Sequence, residues 1–249
     1  VSVSAVVSAE QDPAKLPDTT IIANRTATPL SQVGSSVSVL DVDFLSEAGI
    51  RSLDQALKFV PGVTSDSVGG QKGSNSDLYI RGLRTTHTHM VVDGMRISDT
   101  NSGLVLSKQF LGSSNLSGLS RVEILRGPQG ALYGGDSIGG VLGLYSKKGE
   151  GDHSGSVHVE AGSFNTWSSS LAAQGSSESL SYSIALGHDL TDNDLPHNSF
   201  EMESYAIRLD YELNNRLRMG LTLRGADSTY EGPQTGPFYS GPDDSDFRY

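Results

Sequence analysis

Gly135-Asp136-Ser137-Ile138-Gly139 carries the G-x-S-x-G spacing of a nucleophile elbow. In such an elbow a sharp strand-to-helix turn presents the serine hydroxyl, and a histidine held by a carboxylate takes its proton. Asp194-Leu195-Pro196-His197 would supply that carboxylate and that histidine. His87 and His89, in the stretch THTHM, have the spacing of two metal ligands on one strand face. With no third ligand beside them, they read instead as polar residues at a strand start. Two acidic clusters offer oxygen ligands of the kind calcium takes: Asp189, Asp192 and Asp194, then Asp243, Asp244 and Asp246. The EF-hand spacing is not met, and without a cation these are solvated loop charges.

The elements needed to position a serine nucleophile are missing. An elbow requires a helix after its serine, and here Ile138-Gly139-Gly140 follows. The stretch from Ser137 to His197 carries alternating strands and no crossover helix, so no parallel α/β sheet forms around it. Ser137 sits in a run from Arg121 to Lys148 with glycines at 127, 130, 134, 135, 139, 140 and 143. Each glycine in a helix interior costs about 1 kcal/mol relative to Ala, so the run reads as turns and close backbone contact. Neither Walker A nor dinucleotide-binding glycine spacing occurs.

The bulk numbers bound what surrounds this run. The chain has 249 residues, enough for one or two domains, and a formal net charge of -11, which argues against nucleic acid as a partner. It has no cysteine, which excludes disulfide frameworks and thiolate metal sites. No apolar run reaches the roughly 18 residues of a transmembrane helix, but a transmembrane barrel would escape that search because its strands alternate.

Four segments follow in order. Residues 1–9, VSVSAVVSA, resemble the tail of a signal peptide. Residues 10–32 contain Pro13, Pro17 and Pro29 without an amphipathic period and read as a flexible tether, with a β-prone patch at Thr19–Ala23. Residues 33–148 read as a compact α+β unit. Strands are expected at Ser35–Leu40, Leu78–Arg81, Met90–Arg96, Val122–Leu125 and Val141–Tyr145. Asp41 and Ser52 are placed to N-cap two helices, the second running from Leu53 to Val60 before Pro61-Gly62. Residues 149–249 alternate apolar and polar residues over about five strands, such as Leu217, Met219, Leu221 and Leu223 against Arg218, Gly220, Thr222 and Arg224. Short turns at 176–178 and 214–215 and a long loop at 189–201 match a barrel with short turns on one side and long loops on the other.

Ordered motifs then carry a resemblance. Ile80-Arg81-Gly82, Val92-Asp93-Gly94, Val122-Glu123-Ile124-Leu125-Arg126-Gly127-Pro128 and Leu132-Tyr133-Gly134 through Gly140 resemble the plug signatures of TonB-dependent outer-membrane receptors. Asp18-Thr19-Thr20-Ile21-Ile22-Ala23 resembles the TonB box, most closely that of cobalamin receptors. The family's barrel has about 22 strands. This chain supplies about five, and open edges of so few strands predict aggregation or a need for detergent.

The resemblance implies an α+β plug domain followed by the N-terminal antiparallel strands of a transmembrane β-barrel, in the outer membrane of a Gram-negative bacterium. It implies a transporter and not an enzyme. The substrate would be cobalamin, or else a ferric siderophore or haem. Plug loops would bind it through Gly69, Gly70, Gln71, Ser74, Asn75 and Ser76, and through Asn101, Ser102, Gly103 and Leu104. Residues Asp18 to Ala23 would pair as a strand with the periplasmic TonB protein. Arg81, Glu123 and Arg126 would form ion pairs within the plug or toward the barrel, with Gly127 and Gly134 packing nearby. No cofactor is required, although calcium on Asp189, Asp192 and Asp194 would match the acidic loops of cobalamin receptors. Two other classes compete: a non-transporting signalling or adhesive barrel, and a Gly-Asp-Ser-Leu type esterase using Ser137, Asp194 and His197.

Overall fold

A computed structural model describes residues 19–67, 70–97, 111, 114–135, 137–195, 197–214, 217–231 and 246–248. Residues 1–18, Gly69, the loop residues 101–104 and Asp243 and Asp244 lie outside them. The described chain divides into two units. One contains residues 19–67 and 75–146; the other contains residues 70–74 and everything from Lys147 onward.

The first unit is built on a five-stranded mixed sheet in the order β3-β8-β9-β6-β7. These strands are β3 (Ser36–Asp41), β6 (Thr88–Val92), β7 (Met95–Ile97), β8 (Leu119–Arg126) and β9 (Gly140–Ser146). Only β6 and β9 pair in parallel. The stretch expected as one strand from Met90 to Arg96 folds into a hairpin, because Asp93 and Gly94 both take positive φ, as a two-residue turn demands. Asp93 then accepts from the Ser146 amide at 2.8 Å and the Ser146 hydroxyl at 2.6 Å, which ties the turn to the end of β9.

Two short helices pack on one face of this sheet. In α1 (Val42–Glu47) the Asp41 carboxylate accepts from the Phe44 amide at 3.0 Å, so the expected cap forms. Ser52 makes no such bond before α2 (Leu53–Leu57). It forms a strand-like bridge with Asn115 instead. The second helix is shorter than its apolar spacing predicts. After Leu57 the Phe59 and Val60 amides bond three residues back, so the last turn is tightened. Val42, Leu45, Leu53, Leu57, Met90, Val92, Val122, Ile124, Leu142 and Leu144 form the main core between helices and sheet. A separate hairpin, β4 (Val63–Ser67) with β5 (Ser76–Ile80), adds Val63, Leu78 and Ile80 to it.

The glycine-rich run is not wholly free of helix. Gly130–Tyr133 forms one helical turn, α3, which ends at Gly134 with φ 95. Beyond it the glycines serve close approach: a Cβ at Gly140 would lie 2.3 Å from the Leu125 carbonyl oxygen across the sheet. Residues 19–31, expected as tether, are ordered here. β1 (Thr19–Thr20) pairs with β2 (Thr28–Pro29), and Ile22 is fully buried.

The second unit is an antiparallel sheet in chain order: β10 (Ser154–Gly162), β11 (Thr166–Ser177), β12 (Leu180–Thr191), β13 (Phe200–Asn214), β14 (Leu217–Glu231) and β15 (Asp246–Arg248). Its burial is inverted relative to a water-soluble sandwich. Ser183 and Asp210 are 6% and 7% exposed, whereas Leu171, Leu186, Tyr205, Met219 and Leu221 stand about half exposed. The register lines the apolar residues into rows, such as Val157–Leu171–Leu186–Tyr205. An apolar exposed face on antiparallel strands is the arrangement that meets lipid.

Candidate functional site

The helix-free face of the five-stranded sheet forms a docking site for the chain's own N-terminal segment. Side chains alternate across a strand. On β8, Val122 and Ile124 therefore face the helices, and Arg121, Glu123 and Leu125 face the other way. On β9 the same face shows Val141, Gly143 and Tyr145. Ile22 and Ala23 pack there with Val91, Leu125 and Val141 as a second cluster, joined by Val33, Val37 and Tyr133.

Gly143 makes the room. It pairs with Glu123 in the ladder, and a Cβ on it would come 2.9 Å from Ile22 Cδ1. Any larger residue would fill the slot that Ile22 occupies. Full burial of an isoleucine side chain contributes about 1.5–3 kcal/mol.

Glu123 supplies the polar half of the site. It has no exposed surface, and a buried carboxylate is tolerated only with several partners. Arg121 Nε lies 3.0 Å from one carboxylate oxygen. The other oxygen accepts from the Thr20 hydroxyl at 2.6 Å, the Ile21 amide at 2.9 Å and the Ile22 amide at 2.8 Å. From the far side the Tyr133 hydroxyl donates to the Ile22 carbonyl at 2.7 Å. The Arg25 guanidinium lies 5.3 Å from the centre of the Tyr133 ring, and Arg121 stacks on Tyr145 at 5.1 Å. Burial raises the pKa of Tyr133, and the nearby Arg25 partly opposes that. Tyr145 is pushed above the ordinary tyrosine range by burial first and by the Glu123 charge second. Both phenols stay protonated at neutral pH, so Tyr133 remains a donor.

Of the residues expected to bind TonB, Thr19, Thr20, Ile21, Ile22 and Ala23 all lie in or beside this site, and Asp18 is outside the described residues. Arg126 makes hydrogen bonds to the Ser36 and Ser38 hydroxyls and the Pro61 carbonyl. Its pKa is lowered by burial and by the like charge of Arg81. Gly127 takes φ 102 beside Arg81, whose Nη1 would lie 3.3 Å from an added Cβ.

The residues expected at the substrate are divided between the two units. Ser76 is buried in the first, with its hydroxyl 2.9 Å from that of Ser67, and Asn75 is exposed. Gly70, Gln71 and Ser74 belong to the second unit. There Gln71 Nε2 donates to Asp194 at 2.6 Å, and Ser74 turns its hydroxyl back to the Gln71 carbonyl. Lys72, which the sequence did not single out, is the centre of this loop. Its ammonium lies 2.8 Å from Asp189, and its backbone exchanges hydrogen bonds with the Asn193 side chain.

Asp189, Asp192 and Asp194 do not converge as a calcium ligand set. Asp189 is taken by Lys72 and by the Ser168 hydroxyl, and among the described residues no group of three acidic or histidine side chains can hold a metal ion. Asp192 and Asp194 instead border an open cleft of about 380 Å³ with His197, Asn198 and Glu231. The esterase geometry is also absent from the serine's surroundings. Ser137 is buried, its hydroxyl donates to the Gly134 carbonyl at 2.6 Å, and a strand follows it.

A mixed sheet with one face closed by helices and the other by its own N-terminal segment, followed by antiparallel strands with an apolar exposed face, is the arrangement of a plug domain followed by the first strands of an outer-membrane barrel. Residues 29–141 match the family model of the TonB-dependent receptor plug domain. Residues 29–141 thus carry the plug fold of TonB-dependent outer-membrane receptors, and the strands that follow resemble in fold the start of the barrel of such receptors. The vitamin B12 transporter BtuB of Vibrio vulnificus is 34% identical over 147 residues, which cover 59% of this chain and 23% of that protein. The ferrienterobactin receptor of Escherichia coli is 31% identical over 165 residues, covering 60% and 21%. In fold, the pyoverdine receptor FpvA of Pseudomonas aeruginosa superposes with a TM-score of 0.75 at 20% identity, over 86% of this chain and 31% of that one. The chain thus spans about a quarter of the length of the relatives it matches.

Proposed function

We propose that the protein imports a scarce nutrient across the outer membrane, with energy delivered by TonB through residues 18–23. Cobalamin is the first substrate candidate and a ferric chelate the second. Relatives named for vitamin B12 and for iron both support the class, and the resemblance of the N-terminal segment to the box of cobalamin receptors favours the first. The observation that carries the reading is the segment Thr19–Ala23. It sits ahead of the plug, begins with the two-residue strand Thr19–Thr20, and is held through the Ile21 and Ile22 amides, backbone donors of the kind that strand addition uses.

Two experiments test this. Growth of a receptor-deleted strain on cobalamin or on single iron chelates, rescued by the complete gene, identifies the substrate. Pro at Ile21 or Ile22 removes a ladder donor and is expected to abolish uptake while leaving substrate binding intact. Normal uptake by both Pro variants would defeat the energy-coupling role.

A further inference from the structure

We propose that Glu123 is a reversible latch that competes with the TonB partner for the same backbone donors; this rests on residues 18–23 being the TonB-binding segment. Strand addition uses every second amide hydrogen of the added strand, so of two consecutive amides one must face the partner. The Ile21 and Ile22 amides both point at Glu123, at 2.9 and 2.8 Å from one oxygen. Each amide has one hydrogen, so while Glu123 holds them neither can donate to a partner strand. The docked and partner-bound states of this stretch exclude each other.

The chemistry of the latch suits reversal. An apolar residue at position 123 could pack against Ile22 but could not hold the two amides. A carboxylate gains strong charge-assisted bonds when the segment is docked, yet water can replace them when it leaves. Arg121, 3.0 Å away and with 22% of its side chain exposed, remains as counter-charge in the released state. Thr20 adds its hydroxyl to the same oxygen, so three donors from consecutive residues converge on one atom.

The test uses the complete receptor in open outer-membrane fragments, whose periplasmic face is accessible, with Ala23→Cys as a probe. Ala23 is 7% exposed when docked, and these 249 residues contain no other cysteine. Labelling by a membrane-impermeant maleimide is followed in three backgrounds without substrate: parent, Glu123→Gln and Thr20→Val. Bonds to a carboxylate are each worth about tenfold or more in such an equilibrium. Glu123→Gln is expected to label at least tenfold faster, and Thr20→Val by a smaller factor. Thr20→Val changes a residue outside the five-stranded sheet and leaves Glu123 its Arg121 and amide partners, so it keeps the proposal open to refutation if Glu123→Gln misfolds. Unchanged labelling in Thr20→Val, or in a Glu123→Gln receptor that still binds substrate, overturns the latch. A parallel pull-down with the periplasmic domain of TonB separates the two ideas. Faster labelling without TonB capture would refute the partner assignment and leave the latch standing. Capture with unchanged labelling would do the reverse.

Discussion

Replacing Tyr133 by Phe removes the polar tip of one contact of the docked segment. The ring stays, so its packing against Val91, Leu125 and Val141 is kept. What is lost is the 2.7 Å bond from the phenol to the carbonyl of Ile22, a residue with no exposed surface, together with the phenol's polar contact with the exposed Arg25 side chain. Leaving a buried acceptor without its donor costs about 1–3 kcal/mol. At about 2 kcal/mol the docked state loses roughly thirtyfold in its opening equilibrium. Hydrogen exchange on the purified complete receptor reads this directly. The amides of Ile21 and Ile22 should exchange about thirtyfold faster, while those of Leu142 and Leu144 in β9 keep the parent rate. Equal acceleration in β9 would mean that Tyr133 supports the sheet and not the segment. No acceleration at Ile21 and Ile22 would mean that the phenol contributes nothing to docking.

Three other outcomes are expected. Gly140→Ala puts a Cβ 2.3 Å from the Leu125 carbonyl, a backbone atom that cannot swing aside, so the plug should become protease-sensitive in isolated outer membranes and uptake should fall sharply. Lys72→Met leaves the nearly buried Asp189 with only the Ser168 hydroxyl; because Lys72 is itself 38% exposed, the loss should be about 1 kcal/mol, seen as faster exchange in residues 70–74 and partly restored by adding Asp189→Asn. The docked segment should also respond to alkali. The folded pKa of Tyr133 is raised, so its contribution is complete below about pH 10 and declines as pH rises above that; the Ala23→Cys labelling rate, divided by that of an exposed control cysteine at the same pH to remove the thiol's own titration, should be flat from pH 7 to 9 and climb beyond about 10.

Much of the plug could be read from residue order. The Asp41 cap, strands β8 and β9 and the alternation of β10–β14 each follow from local chemistry that neighbours did not override. The glycine run was read as close packing, and Gly140 and Gly143 show why, since each faces an atom that leaves no room for a Cβ. The N-terminal stretch read as tether because its proline content and lack of period are local facts. Its order comes from Glu123, about a hundred residues away, and from a slot at Gly143 that no spacing rule reveals. Glu123 was recognisable as a charge in need of partners. That two of them are backbone amides was not, because amides have no letter in the sequence. The partner of Asp189 was hidden for a related reason: the carboxylate is plain in the sequence, but the Lys72 ammonium beside it comes from more than a hundred residues away.

The place of β3 at the sheet edge has a mechanical consequence. A pull applied at residue 19 would run through Ile22 and then reach Ser36, the first rung of a strand that, among the described residues, pairs only with β8. Such a strand can be peeled one rung at a time, from Ser36 opposite Arg126 toward Asp41 opposite Arg121, while β8, β9 and β6 stay together. Arg126 grips the hydroxyls of Ser36 and Ser38 at the rungs that would give first. The plug is therefore wired like a zip with a reinforced first tooth: it resists a weak tug and, once that tooth yields, parts along one edge and not through its middle.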